Sequence, residues 1–555
     1  MLKGHNVRRL NPQPERAKEW ALAMTELPSV SGSPEEAEFP HKLAAMLRAS
    51  PAFAQAPQNV WTMAVPGGRH PRACVAALVR GSGTRTVLLT GHFDTVPIED
   101  YGDLKPLAGS AHALRQGLQQ RLRATAGTPA EKRALQDLAT EDYLPGRGLL
   151  DMKAGLAAGL GVIEAFASDP DRQGNLLFLT VPDEEVNSAG ARAAAPALPE
   201  IARKHGLEIV AAINLDAIAD DGDGSVGRAV ALGTIGKLLP SALVVGVPAH
   251  AGYSFNGLSA CALAGALAAE VEWAPELTER SGEQVGAGPT LLGMKDSKTA
   301  YDVTMPDKVW MFWNVMLYAR KPTEVLEHME LLAQRASVGL VERLQARNVA
   351  AGRTDAPQPP TVRVLTFEML RREVEEKVPG ANKLIADFAR SVAATHADLP
   401  EQCRQITDYV WRLSGRGEPT IVLGFASTPY LSTQLGSDAD ARRLARAVET
   451  AAQQIAERHA TTIAAPKYFQ GISDMSFLGQ ADESEVPTIA RNTPAWGAGL
   501  HWPEGRAFAG IPAINAGPWG RDYHTVLERL HTPYAFTVLP DLIGEIVTRV
   551  LDPAE

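Results

Sequence analysis

Three short aliphatic runs, at residues 86–90, 175–181 and 209–215, each stop abruptly on side chains that can bind a cation. The runs themselves constrain the fold. They are apolar at successive positions rather than at alternate ones, which is the pattern of strands buried on both faces. A further run lies at 73–79, and the alanine- and leucine-rich stretch 154–167 between them has helical spacing. A helix over 14–27, ended by Pro28, precedes this region. Buried strands alternating with helices predict an α/β fold, with a mainly parallel sheet sandwiched by helices.

A change of character follows. Residues 229–370 read as a smaller α+β unit: a strand at 239–247, a small-residue helix at 258–269, a strand at 308–317, a long helix over 323–344 and a closing strand at 362–367. The stretch 353–360 is too rich in proline for regular structure. Beyond about residue 373 the α/β pattern resumes, with a buried-type strand at 421–425, an amphipathic helix over 438–459 and a short strand at 511–516. This last third is expected to complete the first sheet, giving a discontinuous domain of 1–228 and 371–555 with 229–370 inserted in it. At 555 residues the chain is long enough for such a plan. The polar, helix-prone stretch 101–143 reads as an insertion over the face that carries the motifs.

The run ends are where chemistry can sit, because ligands of open α/β sheets lie beyond the carboxyl ends of strands. Gly91-His92-Phe93-Asp94 follows the first run, and His92 and Asp94, two apart, point to the same side in extended backbone. Taken alone, this is equally a turn with a surface pair. Asp151 leads straight into the helix of 154–167, where an aspartate is also a favoured N-cap. Asp183-Glu184-Glu185 closes the second run. A solvated loop tolerates three adjacent acids; so does a dication, which would let one carboxylate bind metal while its neighbour acts as general base. Asp216 closes the third run. Each site is ambiguous alone, but chance accounts poorly for all four. Imidazole plus carboxylate is a zinc-compatible donor set, and two ions need a carboxylate to bridge them.

These segments, in this order, resemble the zinc-dependent aminoacylase/carboxypeptidase family, peptidase family M20, and in particular its long arginine-utilisation (RocB-type) branch. Leu27-Pro28-Ser29-Val30-Ser31-Gly32 is similar to the family's opening segment. The stretches from Gly91 to Pro97, from Gly146 to Gly155 and from Pro182 to Glu185 resemble its diagnostic motifs. Gly471-Ile472-Ser473-Asp474 and Gly510-Ile511-Pro512 resemble later landmarks. The resemblance implies two divalent metal ions, zinc first, with cobalt or manganese as alternatives. His92 would bind one ion, Asp151 would bridge both, Glu185 would bind the second, and Asp216 would complete the first. Glu184 would be the general base, and Asp94 would support His92 from behind. It also implies a cis peptide after Asp151. The last ligand would be a C-terminal histidine. His531 is preferred, because His531-Thr532-Pro533-Tyr534-Ala535 is similar to the family's segment there, although Ala535 replaces its usual glutamate; His524 is the other candidate. His250, on the smaller unit, resembles the histidine that steadies the oxyanion in a partner subunit's active site, and that unit would serve as lid and dimerisation surface. Asn314 and Arg320 are weaker candidates for contacts to a substrate carboxylate.

Besides Ala535, the chain departs from the pattern in two places. His92 and Asp151 are 59 residues apart, which makes room for the insertion 101–143, and the motif that usually ends in two glycines ends in Ala154-Gly155. The function implied is metal-dependent hydrolysis of an amide bond in an N-acyl amino acid or small peptide. A dipeptidase or aminopeptidase of the same family is the alternative. An inactive scaffold binding amino acids or a partner is the non-enzymatic reading, and the full donor set argues against it. A formal net charge of −10 argues against nucleic acid as a partner. Cys74, Cys261 and Cys403 are too scattered for a disulfide framework, the first residues lack the apolar core of a signal peptide, and no apolar stretch is long enough to span a membrane. A cytoplasmic enzyme, acting on a small molecule as a homodimer, is the expectation.

Overall fold

The aliphatic runs of the first third lie side by side. The computed structural model, which describes residues 9–282, 284–353, 360–395, 398–502 and 508–552, contains a six-stranded sheet in the order Val60–Val65, Arg72–Arg80, Gln173–Val181, Ser82–His92, Glu208–Asn214, Ala513–Asn515. The last four strands run parallel, and the first two add an antiparallel edge. Both faces are covered, as continuous apolar runs require. On one face Val75, Ala77, Val87, Leu89 and Phe178 share a core with the helices Pro14–Thr25, Pro34–Ala49, Ala154–Ser168 and Leu539–Leu551. Residues of the opposite parity, such as Ala76, Leu88 and Leu177, are equally buried, and the helix Ala189–His205 packs on this sheet too.

Register brings the chemical groups together. His92 is level with Val181, and Thr90 with Asn214, so the segments bearing His92, Glu184 and Asp216 leave the sheet at one edge. The helix Ala154–Ser168 approaches that edge very closely. A Cβ on Gly155 would lie 1.9 Å from the carbonyl oxygen of Leu215. Alanine is therefore accommodated at 154 but not at 155. Gly155→Ala should lower stability by about 1–3 kcal/mol, the usual cost of overpacking, seen as a lower urea midpoint at unchanged slope.

By its internal contacts the chain divides into two units. One is formed by the described residues of Met1–Thr234, Thr433–Ala481 and Pro503–Glu555, the other by those of Ile235–Ser432 and Asp482–Trp502. The boundary expected at residue 370 is corrected by this division: residues 371–432 belong to the second unit. The reason is the strand Thr420–Phe425. It is buried on both faces, as its composition predicts, but its neighbours are Pro240–Val245 and Arg363–Thr366, in the second unit's own sheet. Helices Phe367–Lys377, Ala381–Ala393 and Leu399–Ser414 bury Leu243, Val245, Trp310 and Val422 on one face of that sheet. Helices Ala260–Val271 and Pro322–Ala350 also pack against it. Only the end residues of the proline-rich stretch 353–360 are among the described residues. Among the described residues no helix is long and apolar enough to cross a membrane.

Candidate metal centre

His92 is the last residue of its strand and is 1% exposed. Its Nε2 lies 3.1 Å from Asp151 Oδ1, 3.7 Å from Asp216 Oδ1 and 3.8 Å from Glu184 Oε2. Its Nδ1 faces the carbonyl oxygen of Asp94 at 3.1 Å. Burial alone would lower the imidazole's proton affinity, but Asp151, Asp216 and Asp94 outweigh it and raise it well above the ordinary histidine range.

Asp94 ties two motifs together. Its Oδ1 accepts the backbone N–H of Glu184 at 3.1 Å, and its Oδ2 accepts those of Glu185 at 3.2 Å and the Ser31 hydroxyl at 2.6 Å. The acidic run at 183–185 is therefore a fastened turn and not a solvated loop. Burial pushes Asp94 up, yet His92, Ser31 and the Glu184 amide hold it below the usual carboxylate value. In the same turn Asp183 pairs with Arg72.

Asp151 sits where the chain turns into the helix Ala154–Ser168, and its peptide bond to Met152 is cis. Its two oxygens face different histidines: Oδ1 faces His92, and Oδ2 faces His524 Nε2 at 2.9 Å. Burial would raise it, but the two imidazoles hold it far below the usual range. His524 Nε2 is also 3.3 Å from Glu185 Oε2. Burial would lower His524, but Asp151 and Glu185 outweigh it and push it up to about 10. Burial raises Glu184, Glu185 and Asp216.

His531 does not join this group, which corrects the preference for it over His524. It lies in the strand Arg529–His531, its ring stacked on Trp519 at 4.6 Å and edge-on to Tyr143 at 5.2 Å, and its Nδ1 accepts the Tyr534 N–H. Burial lowers it to about 4. The segment 531–535 leads into the C-terminal helical region.

Sequence reasoning gave Asp474 no role. It is fully buried, and burial, opposed by His92 and the Ser188 hydroxyl, pushes it up to about 7. The signal was present in Gly471-Ile472-Ser473-Asp474. The Ser473 hydroxyl accepts from the Asn214 amide at 2.8 Å, and Asn515 bonds both Asn214 and the backbone of Asp216. His250 lies in the second unit, exposed, with Nδ1 accepting the Gly252 N–H at 3.0 Å.

The donor set fits divalent cations. Atoms of His92, Asp151 and Glu185 lie within 4.8 Å of one another, and among the described residues Glu185 Oε1 is buried without a partner. Carboxylates so concentrated and so poorly solvated need positive charge to offset them.

The family model for peptidase family M20/M25/M40 matches residues 88–501. The chain belongs to this family. Among curated proteins the M20 chain is 30% identical over 542 residues to the uncharacterized protein YqjN of Bacillus subtilis (strain 168), covering 96% of each. It is 26% identical over 557 residues to protein RocB of the same organism, covering 98% of this chain and 96% of RocB. These relatives place it in the RocB-like branch. Among solved structures, a tripeptidase from Staphylococcus aureus aligns with TM-score 0.51 at 15% identity, over 98% of this chain and 100% of that one. An M20 metallo-carboxypeptidase from Sulfolobus solfataricus aligns with TM-score 0.52 at 12% identity, over 97% and 99%. At such identities the two structures speak for the fold alone. The protein is an M20-type metallohydrolase of peptide or amide bonds.

Proposed function

We propose that this M20 enzyme hydrolyses the amide bond of an N-acyl amino acid or small peptide at a pair of divalent cations, zinc first among them. The observation that carries the reading is the divided carboxylate of Asp151, one oxygen toward His92 and the other toward His524. In this reading His92 and Asp216 hold one cation, Glu185 and His524 hold the other, and Asp151 serves both. When bound, such a pair polarises the scissile carbonyl and lowers the pKa of water.

The remaining steps belong to the chain. Glu184 is positioned by its own N–H on Asp94, and its side chain is only 10% exposed. Glu184, held beside the donors, would take the proton of the attacking water and return it to the leaving nitrogen. His250 is proposed as the oxyanion donor: with Nδ1 accepting from Gly252, Nε2 is the protonated nitrogen and is free to donate. A cytoplasmic role in amino-acid catabolism belongs to the same proposal.

Metal analysis beside a hydrolysis screen tests this. About two cations per chain are expected, with cleavage of N-acyl amino acids or dipeptides abolished by chelator and restored by zinc, cobalt or manganese. The preferred substrate separates deacylase from dipeptidase. Cleavage that survives complete metal removal would overturn the reading.

A further inference from the structure

We propose that the insertion between the His92 and Asp151 motifs is a positioning device for His524; the proposal rests on reading His524 as a metal ligand. His524 sits between the strands Trp519–Arg521 and Arg529–His531, in a loop without regular structure. Its φ is +63°, a left-handed conformation that non-glycine residues adopt only when their surroundings impose it. Within the loop the Thr525 hydroxyl donates to the Asp522 carbonyl and accepts the Leu527 N–H, and the Glu528 carboxylate accepts the His524 N–H.

The hold comes from the insertion and its exit strand. Helices Ala111–Thr125 and Pro129–Leu138 bury Leu114, Leu118 and Tyr101 in a small core of their own, and Val526 and Leu527 of the His524 loop pack against that core. Asp137, near the end of the second helix, accepts Arg529 Nε at 2.8 Å and Nη2 at 2.6 Å, and Arg521 Nη1 at 2.7 Å. It thereby bonds both strands that flank the loop. Arg529 is fully buried, and its Nη1 continues to Asp522 at 2.6 Å and to the Leu527 carbonyl at 2.8 Å. The strand Tyr143–Pro145, at the insertion's exit, pairs with Arg529–His531. Just beyond it, Arg147 donates to Asp100 at 2.8 Å and to Glu528 at 2.9 Å, and Glu528 accepts the His524 N–H at 3.0 Å. The His524 backbone is thus fixed through Glu528, and its loop through Asp137. Neither Asp137 nor Arg147 touches the metal donors, so both are positioning residues.

The test is zinc titration calorimetry on chelator-stripped full-length protein, wild type against Asp137→Asn, with His524→Ala as reference and melting temperature measured on each. The proposal expects Asp137→Asn to weaken one of two zinc affinities by roughly 10–100-fold, the range for groups that orient a ligand. The affected affinity should be the one lost in His524→Ala. Asp137→Glu, which keeps the charge, should recover part of it. Two unchanged affinities would overturn the proposal. So would a parallel loss of both affinities together with a lower melting temperature, since that marks general destabilisation. If His524→Ala itself left zinc binding intact, the ligand assignment would fall instead, a result distinct from either.

Discussion

Glu184→Gln is expected to cut kcat for amide hydrolysis by about 10²–10⁴-fold, the usual contribution of a general base, while leaving the bound cations in place. The substitution preserves shape and removes only the ability to take a proton. Glu184 and Glu185 are adjacent, but Asp94 pins their two amides separately, and only Glu185 reaches His524. Their variants should therefore fail differently. Glu185→Gln should release a cation and lose activity with it; Glu184→Gln should stay loaded and slow. Metal analysis beside steady-state kinetics reads both. Full activity in a metal-loaded Glu184→Gln protein would remove Glu184 from the role of base.

The two C-terminal histidines should separate as sharply. His524→Ala removes a nitrogen 2.9 Å from Asp151 and 3.3 Å from Glu185, so one cation should be lost on dialysis. Activity should fall by more than the roughly 10–100-fold that follows loss of a ligand's supporting group. His531→Ala removes a ring packed on Trp519 and Tyr143. Its cost should be at least about 1–3 kcal/mol of stability, roughly 0.5–1.5 for each of the two aromatic contacts, with metal content and kcat unchanged. Dialysed metal content and a denaturant midpoint for each variant decide the matter, and a reversed pattern would reinstate His531.

The parts of the centre that stand at strand ends were legible in the sequence. A run that is apolar at every position announces a strand covered on both faces, and parallel strands bring their carboxyl ends together. His92, the acidic turn after Val181 and Asp216 were each ambiguous alone; their shared place at strand ends and the family resemblance singled them out. His524 stands in a loop, where no periodicity points at a partner, and resemblance to a neighbouring segment drew attention to His531. The strand Thr420–Phe425 was read correctly as buried but given to the wrong sheet, because burial records how many faces are covered and not by what. Asp474 lay in a quoted landmark without a role, since only three dimensions reveal that its carboxylate is buried beside His92. The insertion was visible as extra length; its grip on Arg521 and Arg529 depends on pairs almost 400 residues apart in sequence.

The order of the strands has a consequence for synthesis. Glu208–Asn214 is flanked in the finished sheet by Ala513–Asn515, and Asn214 waits for Asn515, 301 residues later. At ribosomal speeds of ~5–20 residues per second, that interval is roughly 15–60 s. Throughout it the nascent chain carries an open hydrophobic sheet edge, the kind that recruits foreign strands. His524 emerges later still, so in the proposed reading a chain that stops short of it would lack one donor for the second cation. Until Ala513–Asn515 emerges, that edge is a defined surface for a ribosome-bound chaperone to shield.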